Sequence, residues 1–248
     1  RLKPHAIVTI ENEDIQLDVV PDLGGRIVRL VYKKSGTNII NLLDPSENFY
    51  PVCGGYDEVT AWKWGGTGFA NSYEAKVDGK SLTLVQKKPE AFVSHYDTGL
   101  RFVRTITLPE SGARVHFTSS IINENKTAKT FKLVCRMVVN ADSEKAVLKA
   151  RTDDGSFITP KSSNPEKPGR FYGANKPAGV WRIENILDDL TLEHHFDKNQ
   201  VVACHFLDDK NTNMAKMEIH TEEQEVAPGG KISMEHEWII NQFKNVLK

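Results

Sequence analysis

Lys216, Glu218 and His220 stand at alternate positions in Met214-Ala215-Lys216-Met217-Glu218-Ile219-His220. In an extended strand, side chains two apart share a face, so this triplet projects together while Met217 and Ile219 project the other way. A carboxylate beside an ammonium and an imidazole is equipped for proton transfer. The cation keeps the acid ionised as a general base, and the imidazole moves a second proton. The same triplet would also suit a solvated sheet face.

Two arginines interrupt apolar patterns. Arg104 lies in the row Leu100, Phe102, Ile106, Leu108, and Arg136 lies opposite Leu133, Cys135 and Met137. A buried guanidinium needs a partner. Each therefore either pairs with a structural carboxylate or grips a ligand's hydroxyl or carboxylate through its fork of donors. His95, just ahead of a strand, is a candidate acid. Trp62 and Trp64, in the glycine-framed run Gly54 to Gly66, offer flat faces for the C–H side of a sugar ring, or else plug the end of the fold. His116 and His205 have no distinguishing context.

The elements that would position these groups read as strands. Ala6 to Ile10, and Ile15, Leu17 and Val19 at spacing two, flank Glu11-Asn12-Glu13-Asp14, and a Gly24-Gly25 turn leads into Arg26 to Tyr32. Tyr73 to Val77 and Ser81 to Val85 flank Asp78-Gly79, a pair that supplies positive φ in tight hairpins. Leu100 to Leu108, Val115 to Ile122 and Thr130 to Val139 continue a meander, and Val201 to Phe206, Met214 to His220 and Lys231 to Ile240 close it. Only Glu184 to Leu190 and Asn241 to Leu247 could form helical turns. Residues 44–71 and 152–177 resist the strand reading and are expected to be long loops that shape a site. The chain is expected to be all-β and antiparallel, with residues 1–248 in one domain.

Composition excludes several function classes. The 248 residues carry 32 Lys+Arg against 33 Asp+Glu, a formal net charge of -1, so no overall field draws nucleic acid. No run of about 18 apolar residues is present, and no membrane insertion is expected. Cys53, Cys135 and Cys204 are too few and too scattered for a disulfide framework or a zinc spacing, and adjacent His194 and His195 point to opposite faces when extended. No metal and no cofactor are expected. The first residue is arginine rather than methionine, which fits either a removed signal peptide or an arbitrary boundary; the compartment is left open, with periplasmic or extracellular expected slightly ahead of cytoplasmic. Oligomeric state is left open.

Several phrases carry a family resemblance: Val20-Pro21-Asp22-Leu23-Gly24-Gly25-Arg26-Ile27, Ser35-Gly36-Thr37-Asn38, Gly68-Phe69-Ala70-Asn71, Arg104-Thr105-Ile106-Thr107-Leu108, Ile121-Ile122-Asn123-Glu124-Asn125 and Ala227-Pro228-Gly229-Gly230-Lys231. Over nearly the whole chain their order resembles the galactose mutarotase-like superfamily. The resemblance implies an antiparallel supersandwich that binds sugars on a concave sheet. Members that interconvert anomers use a histidine acid and a glutamate base. It places Glu218 on the glutamate strand and makes it the expected catalytic base, with His95 the candidate acid.

Arg136 stands where the acid histidine would be, in Arg136-Met137-Val138-Val139-Asn140, and Ser72 stands where the family has an arginine after Asn71. A guanidinium cannot give up a proton at neutral pH, since its pKa exceeds about 12. The expected saccharide-binding residues are Arg26, Trp62, Trp64, Asn71, Arg104, Arg136 and His220. Two functions follow: an aldose 1-epimerase-like isomerase, or a non-catalytic recognition or accessory domain of a polysaccharide-degrading system.

Overall fold

The computed structural model describes residues 5–42, 54–60, 71–87, 99–142, 144–187, 189–209 and 213–242. Among these the chain forms β1 (Val8–Glu11), β2 (Ile15–Val20), β3 (Arg26–Tyr32), β4 (Thr37–Asn38), β5 (Gly55–Val59), β6 (Tyr73–Asp78), β7 (Ser81–Gln86) and β8 (Leu100–Thr107). It continues through β9 (Arg114–Asn123), β10 (Lys129–Phe131), β11 (Val134–Asn140), β12 (Val147–Arg151), β13 (Phe157–Ile158) and β14 (Arg170–Tyr172). The remaining strands are β15 (Val180–Glu184), β16 (Leu190–Phe196), β17 (Val201–Asp209), β18 (Met214–Thr221), β19 (Gln224–Val226) and β20 (Lys231–Gln242). The all-β antiparallel expectation holds.

Two nine-stranded antiparallel sheets make the body. The first runs β1-β2-β3-β5-β11-β18-β17-β14 with β4 against β3, and the second runs β13-β12-β15-β16-β20-β9-β8-β7-β6. Alternation assigns their faces. Phe117, Ile121, Met234, Trp238 and Ile240 of the second sheet meet Leu17, Ile27, Cys135, Met137, Met217 and Ile219 of the first in a continuous buried cluster. Each buried aliphatic or aromatic side chain of this kind contributes about 1.5–3 kcal/mol.

The sheets differ on their other faces. β9 alternates exposed or half-buried residues with buried ones, as expected of a face turned to water. β18 is buried at seven of eight positions, and β5 at all five, so polar residues on the far face of the first sheet are also withdrawn from solvent. That face holds the charged triplet.

Local sequence explains the phase of the strands that matter. A register shift in the β2–β3 pairing, between Asp18 and Val19, lets Ile27 and Leu30 face the same core although three residues apart, and turns Arg26 to the far face. β5 approaches β3 so closely that a Cβ on Gly55 would sit 2.3 Å from the Ile27 carbonyl oxygen, and Gly55 has φ +71°. Only glycine meets both demands.

Five expectations are corrected in whole or in part. Thr130 to Val139 is two strands, broken at Lys132 and Leu133, and Glu184 to Leu190 is a turn between β15 and β16 rather than a helix. The 152–177 segment contains β13, β14 and a short 3-10 turn (Gly173–Asn175), and the 44–71 segment contains β5. In Asn241 to Leu247, the first two residues extend β20 and the rest lie outside the described residues.

Candidate functional site

The far face of the first sheet carries a transverse row of charged side chains set by the strand register. Arg136 is the ladder partner of both Asp57 and Glu218, Glu218 of His205, and His205 of Arg170. With Arg26 beside Asp57, the row crosses β3, β5, β11, β18, β17 and β14. Residues from six separate stretches of sequence thus meet because antiparallel pairing puts them at one level.

Asp57 is the anchor at one end. Arg136 donates from Nε to Oδ1 at 2.7 Å and from Nη2 to Oδ2 at 2.6 Å, while Arg26 Nη2 donates to Oδ2 at 2.8 Å. Burial alone would raise the Asp57 pKa, but the guanidiniums of Arg136 and Arg26 outweigh it and hold the carboxyl below its ordinary value. Arg26 is buried and also donates to the Gly54 carbonyl, whereas the Arg136 side chain keeps 23% of its surface exposed.

Glu218 is the second anion, with no exposed surface. Its Oε2 lies 3.3 Å from His220 Nε2 and 3.4 Å from His205 Nδ1, and its Oε1 lies 3.1 Å from Lys216 Nζ. Burial opposes its ionisation. The hydrogen bonds from His205 and His220 and the Lys216 charge override that and hold it well below the usual carboxylate range. For His220, burial dominates and lowers the pKa to about 4, so the ring is neutral at pH 7 despite the adjacent carboxylate. The His205 and His220 rings stand 4.1 Å apart. Arg170 contacts Nδ1 of His205.

Among the described residues, His205, Glu218 and His220 form the one group whose potential metal-ligating atoms all fall within 4.8 Å. The expectation of no metal site rested on spacing along the chain, which is blind to ligands brought together from neighbouring strands.

Not every expected site residue joins this row. Arg104 has no exposed surface and sits between the sheets, where Nε donates to Glu58 Oε1 at 2.6 Å and Nη1 donates to the Gly25 carbonyl at 2.7 Å. It is a core ion pair, and its assignment to saccharide binding is corrected on that ground. Asn71 is buried beside the Gly24 turn, its carbonyl accepting from Gly24 N–H at 2.9 Å, and no described contact links it to Glu218. His95, Trp62 and Trp64 lie outside the described residues. Arg26, Arg136, Glu218 and His220 do converge.

Sequence reasoning missed His205, Asp57 and Arg170. The alternation of Cys204, His205 and Phe206 contained a signal for His205, but its pairing with Glu218 is set by the β17–β18 ladder, whose register shifts between Val201 and Ala203.

The band of paired charges lies on one of the two nine-stranded antiparallel sheets. Comparison with solved structures sharpens this. The chain superposes on a protein from Synechocystis sp. PCC 6803 with TM-score 0.74 at 12% identity over 97% of both chains. It also superposes on a putative aldose 1-epimerase from Escherichia coli K12 with TM-score 0.69 at 13% identity, covering 96% of this chain and 100% of that one. A galactose mutarotase-like protein from Clostridium acetobutylicum gives 0.68 at 12% identity, covering 96% of each. The chain has the galactose mutarotase-like fold, at low sequence identity to these structures. No family model and no curated sequence matches it.

Proposed function

We propose that this chain is a carbohydrate-binding protein whose saccharide lies over the row Asp57, Arg136, Glu218 and His205. The observation that carries the reading is the register-locked alternation of carboxylate and cationic side chains. Sugar hydroxyls donate and accept at once, and such a row offers acceptors and charge-assisted donors at the spacing of adjacent strands. The partly exposed heads of Arg136, Lys216 and His205 are the groups a ligand meets first. The names of the structural neighbours, an aldose 1-epimerase and a galactose mutarotase-like protein, support sugar as the ligand class.

Anomer interconversion is the second reading, favoured by two imidazoles within reach of an ionised carboxylate. Two features make it weaker than binding. A general base works best with a pKa near the working pH, whereas Glu218 is held far below it. Arg136, opposite Glu218 in the ladder, binds Asp57 and cannot release a proton.

One experiment separates the readings. Glucose, galactose and their uronic acids are titrated into the protein by calorimetry, and anomer exchange is followed by NMR with and without the protein. Binding with unchanged exchange supports recognition alone, and faster exchange abolished by Glu218→Gln supports the isomerase. Arg136→Lys, which loses the fork, should weaken affinity about tenfold. Absence of binding by every sugar would overturn both.

A further inference from the structure

We propose that His205, Glu218 and His220 form a binding site for one divalent transition metal ion, with zinc the ion their chemistry suits. Two imidazoles and one carboxylate are a zinc ligand set that leaves a fourth position open. The ligands come from adjacent antiparallel strands. His205 and Glu218 are ladder partners, and His220 lies two residues along on the same face. The backbone ladder therefore fixes the spacing before any ion arrives.

The distances point the same way. N–H···O bonds cluster near about 2.9 Å. Glu218 Oε2 is 3.3 Å from His220 Nε2 and 3.4 Å from His205 Nδ1, at the long end of hydrogen bonding. Ligands about 2.0–2.1 Å from a tetrahedral zinc stand about 3.3–3.4 Å from each other. Two of the three separations thus match those between ligands of a tetrahedral zinc, and all three candidate ligand atoms lie within 4.8 Å of one another.

Two cations oppose an incoming dication. Lys216 Nζ is 3.1 Å from Oε1, and the Arg170 guanidinium abuts Nδ1 of His205. Lys216 can stay on Oε1 while Oε2 binds the ion, but Arg170 must leave the nitrogen. These neighbours are expected to weaken binding relative to a site without them. They also give the proposal a sign that a purely structural cluster lacks: removing either cation should tighten the metal. Metal binding does not depend on the saccharide reading, and it is measured without sugar.

The test uses the full chain without a polyhistidine tag, stripped with chelator and dialysed. Zinc calorimetry and elemental analysis should give one ion per chain. Cobalt(II) should give visible ligand-field bands of a low-coordinate nitrogen and oxygen site. His205→Gln and His220→Gln should each weaken zinc at least about tenfold and remove the cobalt bands, with circular dichroism confirming the fold. Arg170→Gln should tighten zinc at least about threefold. The proposal is overturned if the native chain binds no more zinc than the His205→Gln/His220→Gln double variant, or if Arg170→Gln fails to tighten it.

Discussion

Asp57 and Glu58 are neighbours on one strand, each paired with arginine, yet they stand on opposite sides of the sheet. Glu58 faces inward. Its Oε1 accepts from Arg104 Nε, Tyr56 Oη at 2.8 Å and Ser119, and none of its surface is exposed. Asp57 faces outward and shares its two oxygens between Arg26 and Arg136, and Arg136 remains partly open. The inner acid is bonded to both sheets of a closed core, while the outer acid holds a guanidinium at the edge of solvent. The same chemistry serves cohesion in one place and, in the proposed reading, recognition in the other, and strand alternation decides which side each acid faces.

The inner cluster extends further. Trp181 Nε1 can only donate, so His194 Nδ1 accepts from it at 3.2 Å. His194 Nε2 then donates to His236 Nδ1 at 3.1 Å, and His236 Nε2 donates to Tyr56 Oη at 2.9 Å, which passes its proton donation to Glu58. One indole thus sets both tautomers and the direction of the whole chain. Burial lowers the His194 pKa to about 3 and holds His236 well below its ordinary value, so both rings are neutral.

Breaking the inner pair should have the largest effect. Arg104→Met leaves the Glu58 carboxylate buried without its cation and should cost about 3–5 kcal/mol of stability in urea unfolding. Asp57→Asn keeps the shape but weakens three charge-assisted bonds from two guanidiniums, and should cost about 1.5–3 kcal/mol by the same measurement. An equal or greater loss at Asp57 would erase the distinction between the two sides of the strand.

Acid probes the inner chain separately. His194 and His236 have folded pKa values below the unfolded value of about 6.5, so the unfolded chain binds more protons in mild acid. Stability should fall as pH drops below about 6.5, with His194 contributing until about pH 3 and adding up to about 1.4 kcal/mol per pH unit. His194→Gln, which can still accept from Trp181 and donate to His236, should flatten that slope between pH 6 and 5. An unchanged slope in urea titrations would contradict the neutral relay.

How much of this was legible from sequence depends on whether a feature is local. Hairpins such as Asp78-Gly79 and the outward direction of Lys216, Glu218 and His220 follow from period-two alternation, and the structure bears them out. Strands β12, β15 and β16 are not legible in the sequence, because β12 ends next to loop-like sequence and the β15–β16 connection resembles a helical turn. The partners of Glu218 were the harder part. Arg136 and His205 are 82 and 13 residues away, and only ladder register unites them. Arg104 looked equivalent to Arg136, each a lone guanidinium on a strand; Glu58 on the inner face and Asp57 on the outer one separate them.

The central claim is that a saccharide meets the outer row and not the inner one. Side-chain NMR of the histidine rings during a monosaccharide titration tests it most directly. The account requires the His205 and His220 resonances to shift with saturation while those of His194 and His236 stay in place. Saturable binding that leaves His205 and His220 unmoved would contradict it.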